Sequence, residues 1–544
     1  MKAIFNIIIF ISSSYVSNGQ TWAWAKSSIG SGTDNAYSVA TDTSGNVYIT
    51  GNYGSPTITF GSFTLTNQGG IYLVKYNASG NVLWAKSSIN STSTNYGWSV
   101  KTDKFGNAFV TGYFSSPTII FGSYTLTNTG GLDAFLTKYD PNGNVLWAKS
   151  ALGTNNDYAS SVVTDTLGNS YITGCFSSST IAFGSYTLTK IGGQNAFLAK
   201  YDSNGNVLWA KSSTGSSFDG GRSVGTDAIG NSYVGGYFNS PSIVFSPFTL
   251  NSTGGTNIFL TKYDINGNVL WAKRAGGPNI DWIYSLKTDE VGNTYVTGYF
   301  QSPTITFGSY TLINTGNYNV FLVKYDTNGN VAWAKCSNGS GSYYSYSVTS
   351  DTNNIYISGG FNNNITFGSY TLSVPVGSPD PMFIAKYDLN GNVSYATALT
   401  SGGALYNGIS VDKFCNIYAT GDFQPNSFII GTNTLTNTGM RNVFLAKLSF
   451  SCQPLPNNIT DILNSSSPIL FFPNPNNGSF KFQIDNEIKN GELSLINSIG
   501  QIVHKQKIIH GINDIKTNGL PIGLYNYILL QDNKTIINGK ITIQ

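Results

Sequence analysis

The sequence is short of charge, of histidine and of the motifs of common enzymes. Only 10% of its 544 residues are charged, and the formal net charge is +3. The lysines are spread along the chain rather than clustered, so we expect no nucleic-acid partner. Both histidines, His504 and His510, lie near the C-terminus, which excludes Ser/His/Asp and Cys/His mechanisms from residues 1–450. With no HExxH or P-loop motif either, we expect no enzyme, no catalytic residue, no cofactor and no metal.

Cysteine is also scarce. The four cysteines, Cys175, Cys336, Cys415 and Cys452, have no paired spacing, so neither a disulfide framework nor a CxxC metal site is indicated. A bond between Cys415 and Cys452 is one alternative, and buried free thiols are the interpretation we favour.

Long apolar runs are confined to the start of the chain. Lys2 followed by an apolar core and small residues near Gly19 predicts a signal peptide over residues 1–19. The run is too short to span a bilayer, and we expect no transmembrane segment in the mature chain. The sequence therefore predicts export through the periplasm.

Aromatic residues, by contrast, make up 14% of the chain. Together with the many Gly, Ser, Thr and Asn residues they indicate a β-rich fold. A phrase centred on tryptophan recurs every 60 to 63 residues, with tyrosine in its place once. The series is Trp24, Trp84, Trp147, Trp209, Trp271, Trp333 and Tyr395.

Each repeat contains four short segments typical of strands. In the first they are residues 38–42, 47–53, 71–77 and 82–88, separated by Gly- and Asn-rich turns. Four antiparallel strands repeated seven times predict a seven-bladed β-propeller over residues 20–450. A solenoid is the alternative. An additional stretch such as "ITFGSYTLTN" predicts a small hairpin inserted in every blade.

The ends of the repeat array are complementary fragments. Residues 21–28, "TWAWAKSS", supply only a fourth strand, and the last repeat, ending near Phe450, lacks one. We therefore expect the N-terminal strand to close the ring as the outer strand of the seventh blade, which leaves no exposed strand edge.

The repeat resembles a β-propeller repeat family of bacterial exported proteins. The motif "DxxGNxYxTG" spans residues 165–174 and 289–298, and 103–112 with Phe for Tyr, and "DAFLTKYDPNG" spans 133–143. The resemblance implies the propeller fold and no single activity.

Residues 451–470 are rich in Pro, Asn and Ser and predict a linker. Residues 471–544 resemble the type IX secretion C-terminal sorting domain of Bacteroidetes. The resemblance implies a small β-sandwich bound by the type IX secretion machinery, and a mature protein that is secreted or held on the outer cell surface. An Ig-like adhesive module is the alternative. The residues of the matching motifs include Pro473, Asn474, Pro475, Gly478, Gly500, Gly523 and Tyr525.

Two recurrent features have structural interpretations. The Asp of "TDxxGN" and of "YDxNGN" precedes a tight turn, and an Asx-type turn explains it better than calcium binding does. One tryptophan per blade favours packing between neighbouring blades over sugar stacking.

The links from one blade to the next vary between repeats and lie on the face opposite the tight turns, where binding usually resides. Acid or amide side chains stand beside aromatic ones there, which favours carbohydrate. Loop capping is the alternative, favoured for the recurring Asp. The candidate ligand-binding residues are Tyr37, Tyr96, Trp98, Asp157, Tyr158, Asp219, Arg222, Asp281, Trp282, Tyr284, Tyr344 and Tyr346.

The sequence thus predicts an exported binding protein that recognises a glycan or another macromolecule through this long-loop face. A structural or protein-interaction component of the cell envelope is the alternative. A polysaccharide-active enzyme using Asp219 and Asp281 is a lesser one.

Overall fold

The structure, a computed structural model, describes residues 20–450 except 67, 90, 94, 375–380 and 400–403, and residues 469–543 except 473–478, 485–490, 498–500, 510, 518, 522 and 532–533. The chain divides into two compact units between Cys452 and Gln453. All regular structure in these ranges is β-strand, so they contain no helix able to cross a membrane. The predicted signal peptide and most of the predicted linker fall outside them.

The described part of the first unit contains seven groups of four antiparallel strands, called sheets 1 to 7 in the order of their first strands. Six of them are separate four-stranded sheets, and sheet 2 belongs to a six-stranded sheet that also includes Thr180–Phe183 and Tyr186–Thr189. The first strands are Asp34–Thr41, Tyr96–Thr102, Asp157–Thr164, Asp219–Thr226, Asp281–Thr288, Tyr343–Ser350 and Ala404–Val411. The second strands are Val47–Tyr53, Ala108–Phe114, Ser170–Phe176, Ser232–Phe238, Thr294–Phe300, Asn354–Phe361 and Ile417–Phe423.

The other two strands of each sheet follow a longer connection. The third strands are Ile71–Tyr76, Asp133–Tyr139, Asn195–Tyr201, Asn257–Tyr263, Asn319–Tyr325, Met382–Asp388 and Asn442–Ser449. The fourth strands are Val82–Ser87, Val145–Gly153, Val207–Ser212, Val269–Ala275, Val331–Cys336, Val393–Leu399 and, for sheet 7, Thr21–Ser27.

The fourth strand of sheet 7 comes from the start of the chain. Thr21–Ser27 runs antiparallel to Asn442–Ser449, with Ala25 opposite Ala446 and Ser27 opposite Phe444. The sheet order places this strand at the edge, beside the third strand. The N-terminal strand thus occupies the position that the missing outer strand of the last repeat would fill.

The insert forms a small hairpin in every repeat, as the sequence predicts. The hairpins pair Ile58–Phe60 with Phe63–Leu65, Thr118–Phe121 with Tyr124–Thr127, Thr180–Phe183 with Tyr186–Thr189, Ser242–Phe245 with Phe248–Asn251, Thr304–Phe307 with Tyr310–Ile313, Ile365–Phe367 with Tyr370–Leu372, and Ser427–Ile430 with Asn433–Thr436. The two-residue strands Ile29–Gly30 and Thr214–Gly215 extend two of them.

The tight turns are held by their aspartates. The Asp42 carboxylate accepts hydrogen bonds from the backbone N–H groups of Ser44 and Asn46, each at 2.9 Å, and from the Asn46 side chain at 2.8 Å. Asp140 accepts the equivalent three bonds in the turn before the fourth strand. These are the predicted Asx-type turns, in which the carboxylate satisfies backbone donors that the turn leaves free.

Neighbouring sheets pack through the repeated tryptophan. Trp84 is 9% exposed and meets Tyr48 edge-on at 5.9 Å. Its Nε1 donates to the Pro141 carbonyl oxygen, in the turn of sheet 2, at 3.0 Å. The same bond recurs one repeat later, from Trp147 to the Ser203 carbonyl. The tryptophans therefore pack between sheets, as predicted, rather than presenting a sugar-binding surface.

The first strands of successive sheets are also bonded to each other. The Ser38 hydroxyl accepts from the Val100 N–H at 3.1 Å, and the Thr102 hydroxyl donates to the Thr41 carbonyl at 2.8 Å. The Thr41 hydroxyl in turn donates to the carbonyl of Val411, in sheet 7, at 3.0 Å. Sheets 1 and 7 thus form the same kind of contact as sheets 1 and 2.

The second unit contains two sheets that share one buried cluster. Phe480 and Ile515 of the first sheet contact Leu493, Leu529 and other apolar residues of the second, as expected of a β-sandwich. Its strands are Ile469–Phe472, Ser479–Ile484, Gly491–Ile496, Ile502–Ile508, Gly511–Lys516, Gly523–Gln531 and Lys534–Ile543.

Two of the predicted sorting-domain motif residues can be placed in this unit. Gly523 begins a strand, and the buried Tyr525 donates its hydroxyl to the Pro521 carbonyl at 2.6 Å. The remaining motif residues fall outside the described ranges. These are Pro473, Asn474, Pro475, Gly478 and Gly500.

The cysteine prediction needs one correction. Cys175 and Cys336 are free, and burial raises the pKa of the Cys175 thiol to about 12. Cys415, however, is disulfide-bonded, so the free-thiol interpretation is wrong for it. Cys452 lies outside the described residues.

Candidate functional site

Every first strand carries a β-bulge near its beginning, and a candidate residue occupies it in five of the seven sheets. In sheet 1 the pairing with the second strand passes from Ala36 to Ser38, which leaves Tyr37 as the extra residue. A bulge re-aims a side chain relative to the alternation of its strand. The residues at this position in sheets 1 to 6 are Tyr37, Trp98, Ser160, Arg222, Tyr284 and Tyr346.

These bulged residues line one cavity of about 140 Å³, called the central cavity below. Its lining includes residues of the first strand of every sheet, from Tyr37 in sheet 1 to Ile409 in sheet 7. In the sequence, each of the six residues stands five positions before the Asp of the tight turn that follows its first strand. The structure brings them together around one space.

A second cavity of about 200 Å³, the side pocket, adjoins the central cavity and shares Trp98, Ser160 and Arg222 with it. The remaining wall is largely aromatic, with one amide. It consists of Tyr113, Tyr158, Ala159, Cys175, Gln194 and Tyr237. A concave, mostly apolar space with a few polar groups is the usual form of a small-ligand site.

Aromatic rings contact one another continuously along one side of these cavities. Tyr37 stacks on Trp98 with ring centroids 4.7 Å apart, and Tyr96 stacks on Tyr113 at 4.8 Å. Tyr113 meets Tyr158 edge-on at 4.9 Å. Such contacts hold the rings in fixed orientations, so the wall is formed before any ligand arrives.

Arg222 lies against two more rings. Its guanidinium is 4.9 Å from the centroid of Trp282 and 5.4 Å from that of Tyr237, and the two rings stack at 4.0 Å. Arg222 Nε and Trp282 Nε1 are buried and have no hydrogen-bond partner among the described residues. The cation–π contacts orient the guanidinium without satisfying its N–H donors.

Sheets 5 and 6 contribute a group of tyrosines, of which Tyr284 and Tyr346 line the central cavity. Tyr284 meets Tyr346 edge-on at 5.1 Å, and Tyr344 lies parallel to Tyr346 at 6.2 Å. Tyr299 and Tyr318 contact Tyr344. The candidate tyrosines of sheets 5 and 6 therefore form one cluster.

The sequence reasoning missed four aromatic residues of this region, three of which follow the glycine of a second strand. Tyr113 and Tyr299 are the cross-strand partners of the candidates Tyr96 and Trp282, and Tyr237 is that of Gly220. The residue after this glycine, the Tyr of the phrase "TGYF", varies between repeats, and this variation could have identified the three tyrosines as candidates. The fourth, Tyr318, precedes a third strand.

The three aspartates among the candidates are corrected by the structure. Asp157 is fully buried, accepts from the Ser178 hydroxyl at 2.7 Å and from two backbone N–H groups, and has a pKa raised by burial to about 6. Asp219 and Asp281 are equally buried and bond Ser240 and Ser302 in the same way. Each caps its loop, as the alternative interpretation held, and none faces a cavity.

Comparison with known proteins matches both units to described families. The secretion system C-terminal sorting domain family matches residues 470–544, which begins one position before the predicted boundary. The β-propeller repeat family matches residues 270–299. The C-terminal unit is a type IX sorting domain. The protein is exported by type IX secretion to the cell surface or the medium, as predicted, and it carries β-propeller repeats.

Relatives beyond these families are distant. A WD repeat-containing protein of Acanthamoeba polyphaga mimivirus is 26% identical over 364 residues, covering 53% of this chain and 26% of its own length. The chain thus spans about a quarter of that relative.

Among solved structures, a protein of unknown function from Bacteroides caccae is 12% identical, with 52% of this chain and 92% of its own covered and a TM-score of 0.26. YCF48 bound to D1 peptide is 7% identical, with 79% and 96% covered and a TM-score of 0.36. The polysaccharide lyase Uly1 is 9% identical, with 74% and 88% covered and a TM-score of 0.37.

Proposed function

We propose that the first unit is a seven-bladed β-propeller, closed by its N-terminal strand, that binds a glycan at the cavities between its first strands. Closure is supported by the Thr41–Val411 hydrogen bond between sheets 1 and 7 and by the pairing of Thr21–Ser27 with Asn442–Ser449. A ring of this kind completes the four-stranded sheet of the last repeat and places the seven first strands around one axis.

The observation that carries glycan binding is the convergence of the bulged side chains on the central cavity. Tyr37, Trp98, Tyr284 and Tyr346 offer ring faces on which sugars stack, and Ser160 and Arg222 offer hydrogen-bonding groups. Varied side chains on a uniform backbone are typical of a binding surface.

Binding is favoured over catalysis by the state of the carboxylates. The enzymatic alternative requires Asp219 and Asp281 to reach a substrate, whereas both are buried and bonded to serines. Burial raises the pKa of both carboxyl groups and outweighs the capping hydrogen bonds, which lower it. We therefore assign them no catalytic role.

A glycan array probed with the mature protein tests the proposal. We expect retention of at least one glycan class, weakened about tenfold or more by Trp98→Ala or Tyr284→Ala, because each removes a ring that lines the central cavity. The matched control is Phe105→Ala, whose ring is 62% exposed at a tight turn and should not affect binding. Silence across all glycans, together with capture of one envelope protein, would instead support the protein-interaction alternative.

A further inference from the structure

The charges that face the cavities have one sign. Arg222 lines both the central cavity and the side pocket, and Lys101 lines the central cavity. Among the described residues, no aspartate or glutamate lines either cavity. Because the chain as a whole is nearly neutral, this local excess of positive charge is a property of the site rather than of the composition.

Other buried cations of the first unit have partners. Lys75 lies 3.8 Å from the Asp42 carboxylate and donates to the Pro141 carbonyl at 3.0 Å. Lys138 donates to the Ser203 carbonyl at 3.1 Å. A repeat that buries a lysine ammonium therefore also supplies oxygen atoms to receive it.

Arg222 and Lys101 have no such partner. Within the described part of the chain, no carboxylate lies within 4.0 Å of either cation. The Nε of Arg222 is buried without a hydrogen bond. A partly desolvated cation with no counter-charge costs free energy in the unliganded protein, and a bound anion would remove that cost.

Lys101 has a counterpart in another repeat. Lys287 occupies in sheet 5 the position that Lys101 occupies in sheet 2, directly after the apolar residue that follows the bonded serine. Burial, and then the nearby charge of Lys287, lower the pKa of Lys101 to about 8. Asp289 and Glu290 act to raise the pKa of Lys287, but burial outweighs them.

From these observations we infer that the glycan is acidic, and that its carboxylate or sulfate group binds between Arg222 and Lys101 while Trp98 and Tyr158 hold its sugar ring. This inference rests on the proposed glycan-binding function. A guanidinium binds either anion through two parallel N–H donors. Trp98 and Arg222 line both cavities, so one sugar residue can contact an aromatic face and the guanidinium together, with Tyr158 on the side-pocket side and Lys101 on the central-cavity side.

The test is affinity electrophoresis or calorimetry of the mature protein with polygalacturonate, alginate, hyaluronan and chondroitin sulfate. Each polymer is compared with its carboxyl-reduced form, and chondroitin sulfate also with its desulfated form. We expect at least one acidic polymer to bind about tenfold or more tightly than its neutralised counterpart, with affinity falling as salt rises. If carboxyl reduction removes binding, the recognised anion is a carboxylate. If desulfation removes it, the anion is a sulfate.

Variants locate the anion. Arg222→Gln should remove the preference for the acidic form, and Arg222→Lys should retain part of it, because the charge remains while the two-pronged donor is lost. Lys101→Gln provides an independent readout should the Arg222 variants fail to fold. Arg274→Gln is the matched control, since Arg274 is exposed and donates to Thr253 outside the cavities.

The outcomes separate the two claims. Equal binding of acidic and neutralised polymers, or a preference unchanged in both Arg222→Gln and Lys101→Gln, would overturn the acidic inference and leave glycan binding intact. Failure of every acidic and neutral glycan to bind would overturn both.

Discussion

The two ends of the sheets differ in how closely their side chains are repeated from one sheet to the next. At the turn end, the same aspartate accepts the same bonds repeat after repeat, as Asp42 and Asp103 do. At the loop end, the backbone bulge is repeated but its side chain is not: Tyr37, Trp98 and Arg222 occupy one position in three sheets. Uniform chemistry at one end fixes the sheets, and a uniform backbone at the other end presents varied chemistry.

The difference shows how a repeat protein combines stability with recognition. The bulged residue does not pair with the second strand, so its identity is not constrained by the register of the sheet. The neighbouring serine, such as Ser99 or Ser161, instead bonds the next first strand. We therefore expect substitutions at the bulged residues to weaken binding more than stability, and substitutions at the residues that hold the sheets together to reduce stability.

The largest effect is expected from removing the N-terminal strand. Deletion of residues 21–27 should lower the Tm of the first unit by about 10 °C or more, since it exposes the edge of Asn442–Ser449 and would open the proposed ring. Thermal unfolding followed by circular dichroism measures it. A chain lacking residues 471–544 is the control and should keep its Tm. An unchanged Tm on deleting residues 21–27 would contradict ring closure.

The next largest effect on stability is expected from replacing a packed tryptophan, and it should exceed the effect of replacing a tryptophan at a bulge. Trp147 is 6% exposed and bonds the turn of the following sheet, so Trp147→Ala should cost about 3–5 kcal/mol of stability. Trp98 is half-buried at the bulge, and Trp98→Ala should cost about 1–2 kcal/mol while abolishing most binding. Chemical denaturation and glycan binding are measured on both variants. A larger stability loss for Trp98→Ala would place that residue among the structural ones.

The loop-capping aspartates predict a pH effect. Because burial raises the Asp157 pKa to about 6, the folded state favours the protonated carboxyl. Its contribution to stability is greatest below the ordinary pKa of 3.8 and falls as pH rises through about 6. Asp157→Asn should therefore be about 1–3 kcal/mol more stable than the wild type at pH 7 and similar at pH 4, by denaturation at both pH values.

The chain contains its own precedent for that substitution. Asn95 occupies the same position in sheet 2, where its side-chain oxygen accepts from the Ser115 and Ser116 N–H groups. Asp157→Ala is the control, since it leaves those donors unpaired and should lose about 1–3 kcal/mol at either pH. Equal pH dependence in the wild type and Asp157→Asn would show that other groups dominate the titration.

The smallest effect is expected at the tip of a tight turn. Phe105 is 62% exposed, and Phe105→Ala should change the unfolding free energy by less than about 0.5 kcal/mol and leave binding unaltered. The same denaturation and binding assays apply. Weakened binding would show that the turn end also takes part in recognition, and would contradict the assignment of binding to the loop end.

Much of the architecture follows from local sequence. Alternating residues and Asn-Gly turns give the strands and hairpins, and the incomplete repeats at the two ends predict the pairing of residue 21 onwards with the last repeat. The sorting domain is identified by its own motifs.

The site was only partly predictable. The column containing Tyr37, Trp98 and Arg222 could be aligned, but strand alternation does not reveal the bulge that turns these side chains into one cavity. Cross-strand partners such as Tyr237 depend on the same register. The isolation of Arg222 from any described carboxylate is a property of three-dimensional packing, which no spacing in the sequence encodes.

The most direct test of the central claim is hydroxyl-radical footprinting of the mature protein, with and without the acidic polysaccharide that it binds best. We predict protection of Tyr37, Trp98, Tyr284 and Tyr346 around the central cavity, and unchanged reactivity of Phe105 and Phe414 at the tight turns. Protection of the turn residues, with the cavity aromatics as reactive as before, would contradict it.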